Sequence, residues 1–150
     1  MRIVLQRVSE ARVEVNQEII GSIKKGFLLL VGVELNDNVE DIEWLCKKIV
    51  NMRIFNDLDD KMNLSLLDVN GEILSISQFT LHANIKKGNR PSFIKAAKSD
   101  LANEMYNRLN AQLSELIGKE IKTGRFGADM KVSLINDGPV TILLDSKYKQ

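Results

Sequence analysis

Residues 1–33 carry apolar positions in patterns that are typical of β-strands. Ala11 to Val15 alternates with a period of two, which predicts a half-exposed strand, and Arg2 to Val8 and Ile19 to Ile23 predict two more. The run from Phe27 to Val33 is apolar throughout and predicts a central strand that is covered on both faces. Polar turns separate these segments, so the pattern predicts an antiparallel meander.

Two later segments carry apolar residues at helical spacing. Capping side chains at residues 36–38 precede the first segment; Ser99 and Asp100 cap the second, which Gly118 ends. The apolar face of the first helix comprises Val39, Ile42, Leu45, Cys46, Ile49 and Val50. The apolar face of the second comprises Leu101, Met105, Leu109, Leu113 and Leu116.

The rest of the chain predicts further strands. Asn70-Gly71 lies between the apolar runs Leu64 to Val69 and Glu72 to Ser77, and this dipeptide is a strong hairpin signal. The closing strands are predicted at Glu120 to Thr123, Lys131 to Ile135 and Val140 to Leu144. The pattern therefore predicts an α+β fold, with a mainly antiparallel sheet and two principal helices, in a single domain that spans residues 1–150.

Composition narrows the function classes. No apolar run approaches the ~20 residues that a membrane span needs, and the N-terminal segment is charged too early for a signal peptide. The chain has one cysteine, Cys46, and one histidine, His82, which excludes an internal disulfide and a Cys/His zinc site. We expect Cys46 to be a buried small hydrophobe, and we do not favour a Ser-His-Asp triad built on His82.

The net charge is only +1, but the positive charges are concentrated. Five of them fall within the thirteen residues from 86 to 98, which contain no acid: Lys86, Lys87, Arg90, Lys95 and Lys98. A solvated face is the commoner origin of such a cluster, and a binding surface for a polyanion is the sharper interpretation. Charge alone leaves both open.

Two short polar segments lie where predicted strands end. Ser77 to Leu81 follows an apolar run, and Asn136 to Thr141 separates two others. A strand end is where a rigid sheet can hold backbone groups toward a ligand. In the second segment Gly138 tolerates almost any backbone angle, whereas Pro139 lacks an N–H and has a fixed φ. This pair can turn carbonyl groups in directions that a regular strand does not allow.

Five segments occur in order along nearly the whole chain. They are Gln6 to Val8, Val69 to Leu81, Lys86 to Pro91, Phe126 to Met130 and Asn136 to Thr141. Together they resemble the D-aminoacyl-tRNA deacylase family, also called D-tyrosyl-tRNA deacylases. The resemblance implies a barrel-like sheet and a cytoplasmic homodimer that hydrolyses the ester between a D-amino acid and the terminal adenosine of tRNA. It also implies chiral proofreading in translation, no metal or organic cofactor, and neither a membrane nor DNA as a partner.

The resemblance implies a cis Gly138-Pro139 peptide that enters the active site of the other subunit, so that each site is shared across the dimer interface. We expect this pair to select chirality by accepting the α-ammonium and leaving no volume for an L side chain. Glycine would escape such a filter in part, so glycyl-tRNA mischarged on tRNA-Ala is a second expected substrate. Arg7 is expected to donate to the carbonyls of this loop, with a surface ion pair as the alternative.

With this assignment, the expected catalytic residues are Ser77, Gln78, Phe79 and Thr80. Backbone N–H groups around Phe79 and Thr80 are the expected oxyanion donors. We expect the adenosine 2′-OH to activate or position water, because a threonine nucleophile needs an adjacent base and none is visible near Thr80. The alternative role for Ser77 and Thr80 is hydrogen bonding at a strand end.

Other residues are expected to hold the tRNA. Phe79 and Met130 would pack on the terminal adenine, with core packing as the alternative for Met130. Lys86, Lys87 and Arg90 would contact the phosphates of the acceptor stem.

Two other functions stay open from the sequence. One is a non-catalytic dimer that binds tRNA or another RNA on the same scaffold. The other is an unrelated small esterase with Thr80 as its nucleophile. The two intact polar motifs favour the deacylase.

Overall fold

A single long strand organises the main sheet in the computed structural model, which describes all 150 residues. The strands are β1 (Arg2–Val15), β2 (Glu18–Ile23), β3 (Gly26–Gly32), β4 (Phe55–Asn56), β5 (Met62–Leu64), β6 (Glu72–Ser77), β7 (Lys122–Thr123) and β8 (Lys131–Asp145). β1 pairs antiparallel with β2, β3 and β8, whereas β6 pairs parallel with both β3 and β7. β2 also lies against β6 and β7, so the sheet nearly closes into a barrel.

Two helices cover one side of this sheet. They are α1 (Val39–Asn51) and α2 (Ser99–Ile117), and they pack against each other. α1 begins as predicted, because the side chain of Asn38 accepts from the N–H of Asp41 and the Asp41 carboxylate accepts from the N–H of Asn38. The α+β prediction, with a mainly antiparallel sheet and two principal helices, is confirmed.

The core has two parts. A cluster of 24 buried residues fills the space between the helices and the sheet. A second cluster of 7 buried residues is formed by side chains of β1, β2, β3 and β6. Cys46 belongs to the larger cluster, and burial raises the pKa of its thiol to about 12. Cys46 is therefore the buried small hydrophobe that the sequence predicted. Val39, by contrast, is exposed at the start of α1.

The predicted hairpin around Asn70-Gly71 is wrong. Residues 66–70 form turns, because the Ser65 N–H donates to the Asp68 carboxylate and the Asp68 N–H donates to the Ser65 hydroxyl. These local hydrogen bonds compete with an extended conformation. β6, which follows this turn, pairs in parallel with β3. β5, which precedes the turn, pairs with β4 and not with β6.

Two other boundaries differ from the prediction. The two strands predicted in 2–15 form one strand, and so do the two predicted in 131–144, because β1 and β8 pair along nearly their whole lengths. The N-cap of α2 is Lys98, without a side-chain hydrogen bond, and Ser99 is already helical. Leu116 is exposed and not part of the buried face, whereas Gly118 ends α2 in the left-handed conformation, as predicted.

Candidate functional site

A cavity of about 580 Å³ opens where β3 and β6 end. Its wall combines the end of β6 with the first residues of α2, the loop from 126 to 130 and Val132 of β8. Ser77, Gln78, Phe79 and Met130 of the predicted site all line it. The structure therefore brings three of the four predicted catalytic residues and both predicted adenine contacts to one place, whereas Thr80 follows Phe79 and does not itself line the cavity.

The chain changes direction where it enters this cavity. The N–H of Gln78 extends the β6 pairing by donating to the carbonyl of Val31 at 2.7 Å. A short 3₁₀ helix, Phe79–His82, follows at once. Phe79 and Thr80 are its first residues, so their N–H groups have no acceptor within the helix. Two neighbouring backbone donors at the cavity edge are suited to stabilising an oxyanion.

No general base lies beside the Thr80 hydroxyl. The Nε2 of Gln78 donates to Thr80 Oγ1 at 2.5 Å. His82 is only 3% exposed, and its Nε2 is buried without a hydrogen-bond partner, so this nitrogen does not bind the Thr80 hydroxyl. Asp129, the one carboxylate that lines the cavity, is exposed and pairs with Lys131. This arrangement does not activate a threonine nucleophile.

Aromatic side chains form one wall of the cavity. Phe79 is 54% exposed, and its ring meets that of Phe93 edge-on with the centroids 5.1 Å apart. Sequence reasoning missed Phe93, which is a single aromatic residue in a polar, basic loop. Met130 lines the cavity and also packs against the smaller core cluster, so core packing is observed and the adenine contact stays a prediction.

Tyr106 fixes α2 to the sheet behind the cavity. Its hydroxyl donates to the carbonyl of Ser75 at 2.7 Å, and its ring lies 6.2 Å from that of Phe126. Burial raises the pKa of Tyr106, so the phenol stays protonated as a donor. The contact holds the base of α2 and the loop that carries Phe126 in register with β6.

The basic loop, residues 86–98, reaches the cavity through its last residues, from Phe93 to Lys98, whereas Lys86, Lys87 and Arg90 do not line it. Lys86, Lys87 and Arg90 are exposed, and none of the five cations between residues 86 and 98 takes part in an ion pair. Lys98 lines the cavity itself. Unpaired cations next to an apolar cavity are suited to an anionic ligand with an apolar end.

Arg7 is a buried residue and not a member of a surface ion pair. It is 6% exposed; its Nε donates to the carbonyl of Asp137 at 2.7 Å, and its Nη1 donates to that of Ile54 at 2.5 Å. The sequence predicted that Arg7 donates to the carbonyls of the Gly138-Pro139 loop. The structure shows one such hydrogen bond, to Asp137, the residue before Gly138.

The Asn136 to Thr141 segment forms a wide bulge in β8. Between two paired positions β1 advances from Gln6 to Val8, while β8 advances from Asn136 to Thr141. Gly138 has φ 151, and the peptide before Pro139 is cis. Neither of these two residues lines the cavity at Ser77. Within one chain, therefore, the two polar motifs do not meet.

Two further findings concern metal-binding clusters and helices that could cross a membrane. No three His, Cys, Asp or Glu side chains come together in a way that could hold a metal ion. Neither helix is long and apolar enough to cross a membrane.

Comparisons with known proteins point to one family. A sequence model of the D-Tyr-tRNA(Tyr) deacylase family matches residues 4–145. Proteins named D-aminoacyl-tRNA deacylase from Bacteroides thetaiotaomicron and Flavobacterium psychrophilum are 61% and 57% identical to this chain, and each match covers 100% of both chains.

Two solved structures have the same fold. A c-Myc DNA Unwinding Element Binding Protein is 41% identical, with a TM-score of 0.92 over 97% of this chain and 98% of its own. A probable eukaryotic D-amino acid tRNA deacylase is 16% identical, with a TM-score of 0.84 over 95% of this chain and 97% of its own. At that identity the second likeness concerns the fold alone.

Proposed function

The chain belongs to the D-Tyr-tRNA(Tyr) deacylase family, and from that premise we propose that it hydrolyses D-aminoacyl-tRNA at the Ser77 cavity and rejects L-aminoacyl-tRNA. The observation that carries the proposal is the pair of unpaired N–H groups at Phe79 and Thr80 beside an apolar cavity. An aminoacyl ester is already activated, so positioning and oxyanion stabilisation supply much of what its hydrolysis needs.

In the proposed reaction the ester carbonyl accepts hydrogen bonds from the N–H groups of Phe79 and Thr80. Water attacks the carbonyl carbon, the tetrahedral oxyanion forms between these donors, and the 3′-oxygen of the terminal adenosine leaves with a proton. The adenosine 2′-OH positions the water, because neither His82 nor Asp129 is placed to act as a base. Removing one oxyanion donor typically costs about 10²–10³ in kcat.

The position of the second motif supports the proposal of a dimer with shared sites. Gly138 and Pro139 are outside the cavity of their own chain. β8 pairs only with β1, so its other edge is open, and Ile135 and Leu143 on this strand are 54% and 56% exposed. Open edges and exposed apolar side chains are commonly covered by a second copy. We place the Gly138-Pro139 loop of one subunit in the cavity of its partner.

The loop then acts as the chiral filter. Its carbonyls accept the α-ammonium of the substrate, and the rigid backbone leaves no volume where an L side chain would point. A D side chain points outward, so its identity matters little. Glycine carries no side chain to clash, and partial activity on glycyl-tRNA is part of the proposal.

The tRNA end is held by stacking and by charge. The terminal adenine packs on Phe79 and Phe93, whose rings form one wall of the cavity, and Met130 contacts its edge. The unpaired Lys86, Lys87 and Arg90 lie against the acceptor-stem phosphates, which gives affinity without sequence readout. A cytoplasmic location belongs to the proposal, since aminoacyl-tRNA is made and used there.

The direct test is turnover of tRNA charged with labelled D-Tyr, with L-Tyr-tRNA as the control. We expect repeated turnover of the D ester and little of the L ester. Binding of tRNA without turnover would replace the proposal with a non-catalytic RNA-binding dimer. Accumulation of a covalent acyl-enzyme would replace it with the Thr80 esterase. A DNA duplex tested beside tRNA shows whether the basic loop distinguishes the two polyanions.

A further inference from the structure

We propose that Asn136 is a positioning residue for chiral discrimination: its carboxamide holds closed the loop that carries Gly138 and Pro139. This inference rests on the proposed function, because Asn136 acts only through that loop. It does not line the Ser77 cavity, and it touches no residue proposed to contact substrate.

The carboxamide joins the two ends of the loop. Its Oδ1 accepts from the N–H of Val140 at 2.8 Å, and its Nδ2 donates to the carbonyl of Val140 at 3.1 Å. The same Nδ2 lies 3.0 Å from Thr141 Oγ1. One side chain thus satisfies both backbone polar groups of Val140, and Asp137, Gly138 and Pro139 are confined between its two attachment points.

The sheet cannot make these contacts itself. β1 pairs with Asn136 and with Thr141 but with none of the four residues between them. The N–H and carbonyl of Val140 therefore have no ladder partner, although Val140 is buried. Buried backbone groups need hydrogen bonds, and the Asn136 carboxamide replaces the missing strand.

Arg7 holds the same loop at its other end. Its Nε donates to the carbonyl of Asp137, while Asn136 holds Val140. No side chain donates to the carbonyls of Gly138 or Pro139, which lie between these two contacts. The two proposed ammonium acceptors are thus fixed in direction and free to bind. A carboxamide suits this position because it offers an acceptor and a donor together.

The test uses two variants and a control. Asn136→Ala removes all three contacts, whereas Asn136→Asp keeps the acceptor for Val140 N–H and removes the donor. Asn107→Ala is the control, because Asn107 is exposed on α2 and bonds only Asn103. Each protein is assayed for kcat and KM on D-Tyr-tRNA and L-Tyr-tRNA, for hydrogen exchange at the Val140 amide, and by thermal melting.

We expect Asn136→Ala to lower kcat on D-Tyr-tRNA about tenfold or more, since it loses several hydrogen bonds. KM should change little, because the phosphate contacts lie elsewhere. The ratio of D to L hydrolysis should fall by a similar factor, and exchange at Val140 should accelerate. Asn136→Asp should keep Val140 protected but lose part of the D:L ratio. Asn107→Ala should match the parent in every assay.

An unchanged D:L ratio in folded Asn136→Ala would overturn the inference. If that variant fails to melt cooperatively, Asn136→Asp decides: parental selectivity with a parental melt would likewise overturn it. A parent protein that does not hydrolyse D-Tyr-tRNA would refute the proposed function instead, and exchange at Val140 would still report whether Asn136 holds the loop.

Discussion

Gln78 Nε2 donates to Thr80 Oγ1 at 2.5 Å, so the Thr80 hydroxyl is held by a neutral amide. An amide does not take up a proton at neutral pH, and Asp129 and His82 are otherwise engaged or buried. The side chain of Thr80 is therefore positioned but not activated. Its backbone N–H, in contrast, is free at the start of the 3₁₀ helix.

This contrast gives a prediction for Thr80. Thr80→Ala keeps the N–H and should retain kcat within about tenfold, whereas Thr80→Pro removes the N–H and should lower kcat by about 10²–10³. Both are measured on D-Tyr-tRNA, with tRNA binding and a melt as controls. Complete loss of activity in Thr80→Ala with tRNA binding intact would contradict the backbone mechanism and favour a threonine nucleophile.

The substrate provides a second prediction. A D-Tyr-tRNA that lacks the 2′-OH of its terminal adenosine, with the amino acid on the 3′ position, should react far more slowly than Thr80→Ala reacts with normal substrate. The reason is that neither His82 nor Asp129 is placed to activate water as a base. Single-turnover rates at saturating enzyme separate chemistry from binding. Hydrolysis of the deoxy substrate at the normal rate would exclude assistance by the 2′-OH.

Stability of the β1–β2 turn provides a third prediction. Asn16 and Gln17 both have positive φ, at 49° and 67°, and Gln17 is exposed. Gly at the second position gives the Asn-Gly pair that such turns prefer. Gln17→Gly should raise the free energy of unfolding by about 0.5–1 kcal/mol. Glycine avoids the cost that a residue with a Cβ has in the left-handed conformation, and this gain exceeds the extra conformational entropy that glycine loses on folding. Gln17→Ala, which keeps the penalty, is the matched control in a chemical unfolding series; equal stability of the two variants would contradict the argument.

Local sequence signals predicted the parts of the fold that depend on local interactions. The capping residue Asn38 and the terminating Gly118 act within one helical turn, and both are where the sequence placed them. The hairpin prediction at Asn70-Gly71 was wrong because this dipeptide indicates a hairpin only where a strand precedes it. Ser65 and Asp68 close a turn there, so no first hairpin strand exists for Gly71 to connect.

The candidate site was only partly predictable for the same reason. The Ser77 segment could be found because its polar residues follow an apolar run. Phe93 could not, because its contact with Phe79 joins two loops whose approach depends on the tertiary fold. The role of Asn136 could not be predicted either. It depends on the bulge by which β8 departs from its pairing with β1, and the sequence of one strand does not show how it pairs with another.

Subunit mixing tests the shared site. Thr80→Pro removes the proposed oxyanion donor, and Gly138→Ala disturbs the loop, because a Cβ on Gly138 would lie 2.8 Å from the N of Val140. Each homodimer should be nearly inactive. A mixed dimer contains one cavity with an intact Thr80 and an intact partner loop, whereas its other cavity lacks both. Each mixed dimer should therefore have about half of the activity of a parental dimer. No recovery, despite proven subunit exchange, would argue for a site contained in one chain.

The central claim is that the Gly138-Pro139 loop reads the chirality of the substrate. Gly138 has φ 151, a conformation that other residues rarely adopt, so Gly138→Ala should move the carbonyls that accept the α-ammonium. The most direct measurement is the ratio of D-Tyr to L-Tyr release from charged tRNA in Gly138→Ala and in the parent, with a thermal melt to establish folding. D-Tyr release should fall steeply, and the ratio should fall at least about tenfold, the effect of losing about 1.4 kcal/mol of discrimination. A folded variant with the parental ratio would show that chirality is read elsewhere and would contradict the account.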